Sequence, residues 1–297
     1  MDKFGLIGYP IAGSLSPALF GAGYGGKYAY GLIEDTDFER SWKKFLEEYR
    51  AINVTAPFKE NAFAQAVALA ADGRGSVSGP VMKTGAVNLM VKRDGKIEAH
   101  NSDFTGIILS VAEALFPGLV RQCYEVYGER GYIKAHQFVR ENIEEYYSVK
   151  PQALVVGCGG AGKAAAVAAA EMGYSTVIMN RTQAKAGEFA LSVPEYQFMV
   201  DGMSDFRNAF RECDLVIYTL PLTVEETAAL EADDFRGTGT RSKVILEANY
   251  KTPCFRARED CTYVSGKRWI LYQALTGYSL MSGETPDVAA MERVVEK

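Results

Sequence analysis

Residues 157–162 read Gly-Cys-Gly-Gly-Ala-Gly, a G-x-G-x-x-G run between an apolar stretch, 153–156, and an alanine-rich stretch that ends near Met172. In that context few short motifs constrain a fold as strongly. The missing side chains let the chain turn sharply, bring its backbone close to a pyrophosphate, and pack a helix tightly on the preceding strand. The helix that opens there offers unpaired N–H groups to an anion. The run therefore predicts a strand–helix unit of the dinucleotide-binding kind, with Gly157, Gly159, Gly160, Ala161 and Gly162 at the pyrophosphate. A competing reading is the triphosphatase phosphate loop, because 157–163 also spells G-x-x-x-x-G-K. That loop needs Ser or Thr next to hold magnesium, and Ala164 stands there instead.

The residues downstream continue the pattern. Apolar strands are expected at 176–179, 215–218 and 244–246, with a helix at 182–191, a parallel-sheet series. Upstream, strands are expected at 4–8, 27–33, 51–54, 85–91 and 96–99, and Arg93-Asp94-Gly95 reads as a hairpin turn. Helical spacing predicts 37–49, with Phe38, Trp42, Phe45 and Leu46 on one face, then 60–71 and 103–115. Residues 118–150 are rich in tyrosine and charge. Ile133, Phe138, Ile143 and Tyr147 point to one amphipathic helix there, read as a packed-surface or partner-binding helical insertion. Two further helices, 266–282 and 285–296, close the chain. A length of 297 residues fits roughly two domains of this kind.

Composition removes several functions. The net charge of −5 gives no global pull toward nucleic acid or an anionic membrane. The five cysteines are scattered with no C-x-x-C pair, so no metal site is expected and the chain reads as reduced and cytoplasmic. The most apolar stretch, 153–170, carries glycines and Lys163, so no membrane span is expected. The only histidines are His100 and His136, and neither lies in a nucleophile or proton-shuttle motif. Acid–base work would fall to lysine, carboxylate or tyrosine.

Cofactor choice is read after the second strand. An NAD site usually places an acidic residue there for the ribose 2′-hydroxyl. This chain has Asn180-Arg181-Thr182, with Lys185 one turn on. Arg181 can stack on an adenine and pair with a 2′-phosphate, which favours NADP. In the first hundred residues, Ser14-Leu15-Ser16-Pro17 can present paired hydroxyls to a carboxylate. Asn53-Val54-Thr55-Ala56-Pro57-Phe58-Lys59 sets a lysine just past a strand, and Asn101-Ser102-Asp103 sets a carboxylate at a helix start.

Taken in order, these segments resemble the shikimate dehydrogenase family. The resemblance runs through Gly8-Tyr9-Pro10-Ile11 with the paired serines, the Lys59 segment, Thr84-Gly85-Ala86-Val87-Asn88, Asn101-Ser102-Asp103 with Gly106, the glycine loop and Asn180-Arg181-Thr182. It closes on Asn249-Tyr250 with Pro253, and on Gly266 with Gln273-Ala274. It implies NADP-dependent interconversion of 3-dehydroshikimate and shikimate; the sequence leaves monomer or homodimer open. Lys59 and Asp103 would be the catalytic pair, the proton-transfer group being left open between them. Ser14, Ser16, Thr55, Asn88, Tyr250 and Gln273 would bind substrate, and Gly266 would join the cofactor site. The implied fold is two α/β lobes around a cleft. Residues 1–103 with 266–297 would form the substrate domain, and 104–265 the Rossmann-type NADP domain carrying the 118–150 insertion.

The chain departs from the family pattern in four places. Gly13 stands where His is usual; Tyr218-Thr219-Leu220-Pro221 replaces an Asn-Ala/Thr-Thr/Ser turn; Glu247 replaces an aspartate; and 118–150 is extra. A quinate or other cyclic hydroxy-acid dehydrogenase, or a catalytically silent NADP sensor, are the alternatives these leave.

Overall fold

The computed structural model describes residues 2–237 and 241–296. Two compact units form, one from the residues through Asp103 together with those from Leu271 onward, the other from Phe104–Ile270.

The first unit contains β1 (Lys3–Gly8), α1 (Ser16–Gly23), β2 (Ala29–Glu34), α2 (Phe38–Glu48), β3 (Ala51–Val54), α3 (Lys59–Ala71), β4 (Gly75–Val77), α4 (Gly79–Thr84), β5 (Leu89–Arg93) and β6 (Lys96–His100). Its six strands are ordered β2-β1-β3-β5-β6-β4. β1 runs parallel to β2 and β3, while β5 is antiparallel to both neighbours. The expected hairpin is present: Arg93 pairs with Lys96 across Asp94 (φ 51) and Gly95 (φ 74), a left-handed pair that asparagine, aspartate and glycine tolerate best. On one sheet face α2 and α3 bury Phe38, Trp42, Phe45, Phe58 and Ala62 against Ile52 and Val54. Asp37 caps α2 by accepting from the N–H groups of Glu39 and Arg40. Leu46, expected in that core, is instead 45% exposed, since it sits at the edge of the stripe set by Phe38, Trp42 and Phe45. On the other face Phe20 packs on Tyr30 and Tyr278, with ring centroids 4.7 and 4.8 Å apart.

Next along the chain are α5 (Ser102–Leu115), α6 (Leu119–Tyr127), α7 (Gly131–Tyr147), β7 (Gln152–Val156), α8 (Gly160–Glu171), β8 (Ser175–Met179), α9 (Gln183–Ser192), β9 (Met199–Asp201), α10 (Phe206–Glu212), β10 (Leu215–Tyr218), α11 (Glu225–Ala228), β11 (Lys243–Glu247) and β12 (Cys261–Val264). The chain ends with α12 (Gly266–Ser282) and α13 (Val288–Val295). The second unit's sheet is ordered β12-β11-β10-β7-β8-β9 and is parallel throughout. Within this sheet the strand order is 3-2-1-4-5-6, the doubly wound Rossmann arrangement. The fold class read from the motif is therefore borne out.

The 118–150 segment differs from expectation. It forms two helices, broken at 128–130, where Gly128 takes φ 56. The buried face of α7 is Ala135, Val139, Ile143 and Tyr147, an i, i+4 row, whereas Ile133 and Phe138 are exposed. Short strands β4, β9 and β12 and helix α4 lie outside the expected elements; three to six residues carry too little periodicity. All five cysteines are free thiols. Among the described residues no single helix is long and apolar enough to cross a membrane.

Candidate active site

In the first unit, sheet topology gathers the polar residues at one end. Strands β1, β3 and β6 finish there and β5 begins there, since Ile7 pairs with Val54, Asn53 with Leu89, and Leu89 with His100. The segments leaving those strand ends carry Ser14 and Ser16, Thr55 and Lys59, Asn88, and Ser102 and Asp103. Loops at strand ends hold the polar groups that a sheet interior would reject.

Lys59 is the first residue of α3 and Asp103 lies in the first turn of α5. Their side chains form an ion pair, with 18% and 6% of their surfaces exposed. A lysine at a helix amino terminus faces the unfavourable end of the helix dipole, and a carboxylate is favoured there. Asp103 therefore supplies what α3 withholds. The two are 44 positions apart in sequence.

Around the pair, Asn88 is almost fully buried and grips the start of α5. Its Oδ1 accepts from Ser102 N at 2.7 Å and its Nδ2 donates to Ser102 Oγ at 3.1 Å. Asn88 thus sets the helix that aims Asp103. Ser14 Oγ donates to Ser16 Oγ at 3.2 Å, so the two hydroxyls converge. Thr55 is half-buried just past β3, its N–H donating to Ile7 O at 2.9 Å. Gln273, on α12, lies one turn before Gly277 and on the same helix face. A Cβ on Gly277 would stand 3.2 Å from Ser102 Oγ and 3.8 Å from Asn53 Nδ2, so that face packs on the site.

Sequence reasoning missed part of the scaffold. Tyr30 donates to Asn53 Oδ1 at 2.8 Å and Tyr278 donates to Ser16 O at 3.0 Å. Burial pushes both phenols well above their usual range, so they stay neutral donors. Tyr278 is 262 positions from Ser16 and no local pattern links them.

In the second unit the glycine run follows β7, at the point where the strand order reverses toward β10. The glycines divide the work the motif requires. Gly157 adopts φ +105, and a Cβ there would collide with Thr219 Oγ1. Gly162 abuts the carbonyl of Gly157, so only glycine lets α8 sit this close to β7. A Cβ on Gly159 would meet nothing within 4 Å, and no side chain caps the helix that Gly160 and Ala161 begin. That open, N–H-lined helix end has the chemistry an anion needs. Asn180 braces it: Oδ1 accepts from Cys158 N at 3.2 Å and Nδ2 donates to Thr182 O at 2.9 Å. Arg181 and Lys185 are exposed beyond the end of β8.

Two sequence-derived residues stand elsewhere. Tyr250 lies in the loop after β11 in the second unit. Gly266 opens α12, where a Cβ would collide with the carbonyl of Ala248 and stand 3.0 Å from Glu247 O, so close packing requires a glycine there.

A doubly wound sheet with G-x-G-x-x-G at its switch point, in one chain with an α/β unit holding an ammonium–carboxylate pair, is the architecture of two-domain nicotinamide-dependent dehydrogenases. Within that class the resemblance is specific. Residues 139–244 match the family model described as Shikimate / quinate 5-dehydrogenase. A shikimate dehydrogenase (NADP(+)) of Moorella thermoacetica is 29% identical over 98% of this chain and 92% of its own length. Two solved structures share the fold at a TM-score of 0.73. One is the Thermus thermophilus shikimate 5-dehydrogenase in complex with NADP(H) and shikimate, 23% identical over 100% of this chain and 99% of that one. The other is the Corynebacterium glutamicum quinate dehydrogenase in complex with NAD, 19% identical over 99% of this chain and 98% of that one. The resemblance to shikimate dehydrogenases read from the motifs is thus borne out by comparison over nearly the whole chain.

Proposed function

We propose that this chain is an NADP-dependent shikimate dehydrogenase that reversibly reduces 3-dehydroshikimate to shikimate in the cytoplasm. The observation that carries the reading is the part-buried Lys59–Asp103 pair, framed by converging serine hydroxyls and by Asn88. Ketone reduction needs a proton at the oxygen as hydride reaches the carbon. The Lys59 ammonium is suited to polarise that oxygen and to give it a proton, and neutral lysine takes the proton back in the oxidising direction. Asp103 orients the ammonium and accepts a hydrogen bond from the reacting hydroxyl. Ser14 and Ser16 hold the substrate carboxylate; Thr55, Asn88, Tyr250 and Gln273 bond ring hydroxyls or the carboxylate.

NADP(H), when bound, supplies or receives the hydride. The residues present fit it: the open backbone at Gly159 beside sterically required Gly157 and Gly162 suits a pyrophosphate. Gly160 and Ala161 would contribute N–H groups, and Asn180 would hold the loop. Arg181, Thr182 and Lys185 would take the 2′-phosphate, with Gly266 near the nicotinamide end.

Quinate is the second reading, supported by the matching family model, whose description covers both shikimate and quinate dehydrogenases. One added ring hydroxyl changes only a few polar contacts. Absorbance of reduced nicotinamide, followed with shikimate, quinate and simple hydroxy acids against NADP and NAD, tests both. Turnover of shikimate with NADP at least tenfold above other pairs is the result expected at roughly the discrimination one polar contact supplies. No turnover of any cyclic hydroxy acid would leave the sensor reading.

A further inference from the structure

The geometry points to Asn249 as the positioning residue for Tyr250, an inference that rests on Tyr250 being a substrate contact in the proposed reaction. Tyr250 is in a short loop between β11 and Phe255, and a loop tyrosine is a poor contact unless its backbone is held. Asn249 holds it on both sides. Its Oδ1 accepts from Lys251 N at 3.1 Å and from Thr252 N at 3.2 Å, closing a side-chain turn with the Tyr250 backbone inside the ring. Its Nδ2 reaches Thr252 O at 2.8 Å, Thr252 Oγ1 at 3.0 Å and Pro221 O at 3.1 Å.

The Pro221 contact reaches a second loop. Pro221 belongs to the loop after β10, the segment in which Tyr218-Thr219-Leu220-Pro221 departs from the family pattern. Asn249 therefore ties the loops of two adjacent parallel strands together. A second tie, Thr223 Oγ1 donating to Cys254 Sγ at 3.1 Å, joins the same loops. The far end of the Tyr250 loop is anchored by Glu247, fully buried at the end of β11. Its carboxylate accepts from Cys254 N at 2.6 Å, Phe255 N at 3.2 Å and Tyr263 Oη at 3.0 Å. The loop is thus clamped at both ends, and Asn249 is the clamp next to Tyr250.

The test compares Asn249→Ala, Asn249→Asp and Tyr250→Phe. Asn249→Ala should raise the shikimate KM about tenfold, with kcat and the NADP KM changed less than about threefold, the pattern of lost substrate binding. Asn249→Asp keeps the acceptor that closes the turn but loses every donor, so it should recover part of the loss. Hydrogen exchange should quicken at the Lys251 and Thr252 amides in Asn249→Ala and stay slower in Asn249→Asp. Asn249→Ala with a wild-type shikimate KM, while Tyr250→Phe raises it, would overturn the inference. Should Tyr250→Phe leave that KM unchanged, the substrate role of Tyr250 fails. Exchange at 251–252 then decides the positioning role by itself: unchanged rates in Asn249→Ala overturn it and faster rates support it.

Discussion

Removing Lys59, Asp103 or both should reveal a pair that acts as a unit. Two unit charges near contact attract by about 4 kcal/mol at the effective dielectric of a partly shielded site. Desolvation of both groups offsets part of this, leaving a coupling of about 2 kcal/mol. Lys59→Met leaves the Asp103 carboxylate, 6% exposed, without its cation, and should cost about 3 kcal/mol. Asp103→Asn keeps the shape and should cost about 2 kcal/mol. Urea unfolding of the two single variants and the double variant measures the coupling as a double-mutant cycle. Turnover should drop by roughly a hundredfold to ten-thousandfold in Lys59→Met, and the double variant should be little worse than the poorer single one. Additive stability losses, within about 0.5 kcal/mol, would refute a functional pair, as would wild-type turnover in Lys59→Met.

Other consequences are independent of that pair. Arg181→Ala should raise the NADP KM while sparing NAD, shrinking their kcat/KM ratio by about tenfold or more; an unchanged ratio removes Arg181 from the 2′-phosphate. Lys243, fully buried on β11, donates to Phe210 O and Cys213 O at 2.5 Å and to Arg211 O at 3.1 Å. Lys243→Met should lower unfolding free energy by about 3 kcal/mol, because buried carbonyls closing α10 lose their donor; a urea midpoint equal to wild type would contradict this. Burial depresses both histidines below 6.5, so below that pH the unfolded chain binds protons that the native state refuses. Their share of the stability is complete above pH 6.5 and falls as pH drops from there toward their native pKa values. Replacing both by Gln should flatten that slope; an unaltered slope assigns it to other groups.

How much of this was legible in one dimension follows from the range of the forces involved. The glycine run, the alternation of short apolar runs with helical spacing, and Arg181 in place of an acid are local patterns whose physics acts within a turn or a strand. They sufficed for the Rossmann-type unit and for the resemblance. The same locality explains the misses: β4, β9 and β12 are held by neighbours more than by their own residues. The row Ala135, Val139, Ile143 and Tyr147 is buried by what packs on it, whereas Ile133 and Phe138, equally apolar, face water.

Contacts between distant positions belong to the folded chain alone. Lys59 meets Asp103 because β3 and β6 end at the same edge of one sheet. Tyr278 reaches Ser16 because α12 returns to the first unit. Asn249 finds Pro221 because β10 and β11 are neighbours. Residue types and spacing encode which side chains can pair or bend a backbone, but the partner across a sheet is chosen by strand order, and strand order is settled only when the whole core packs.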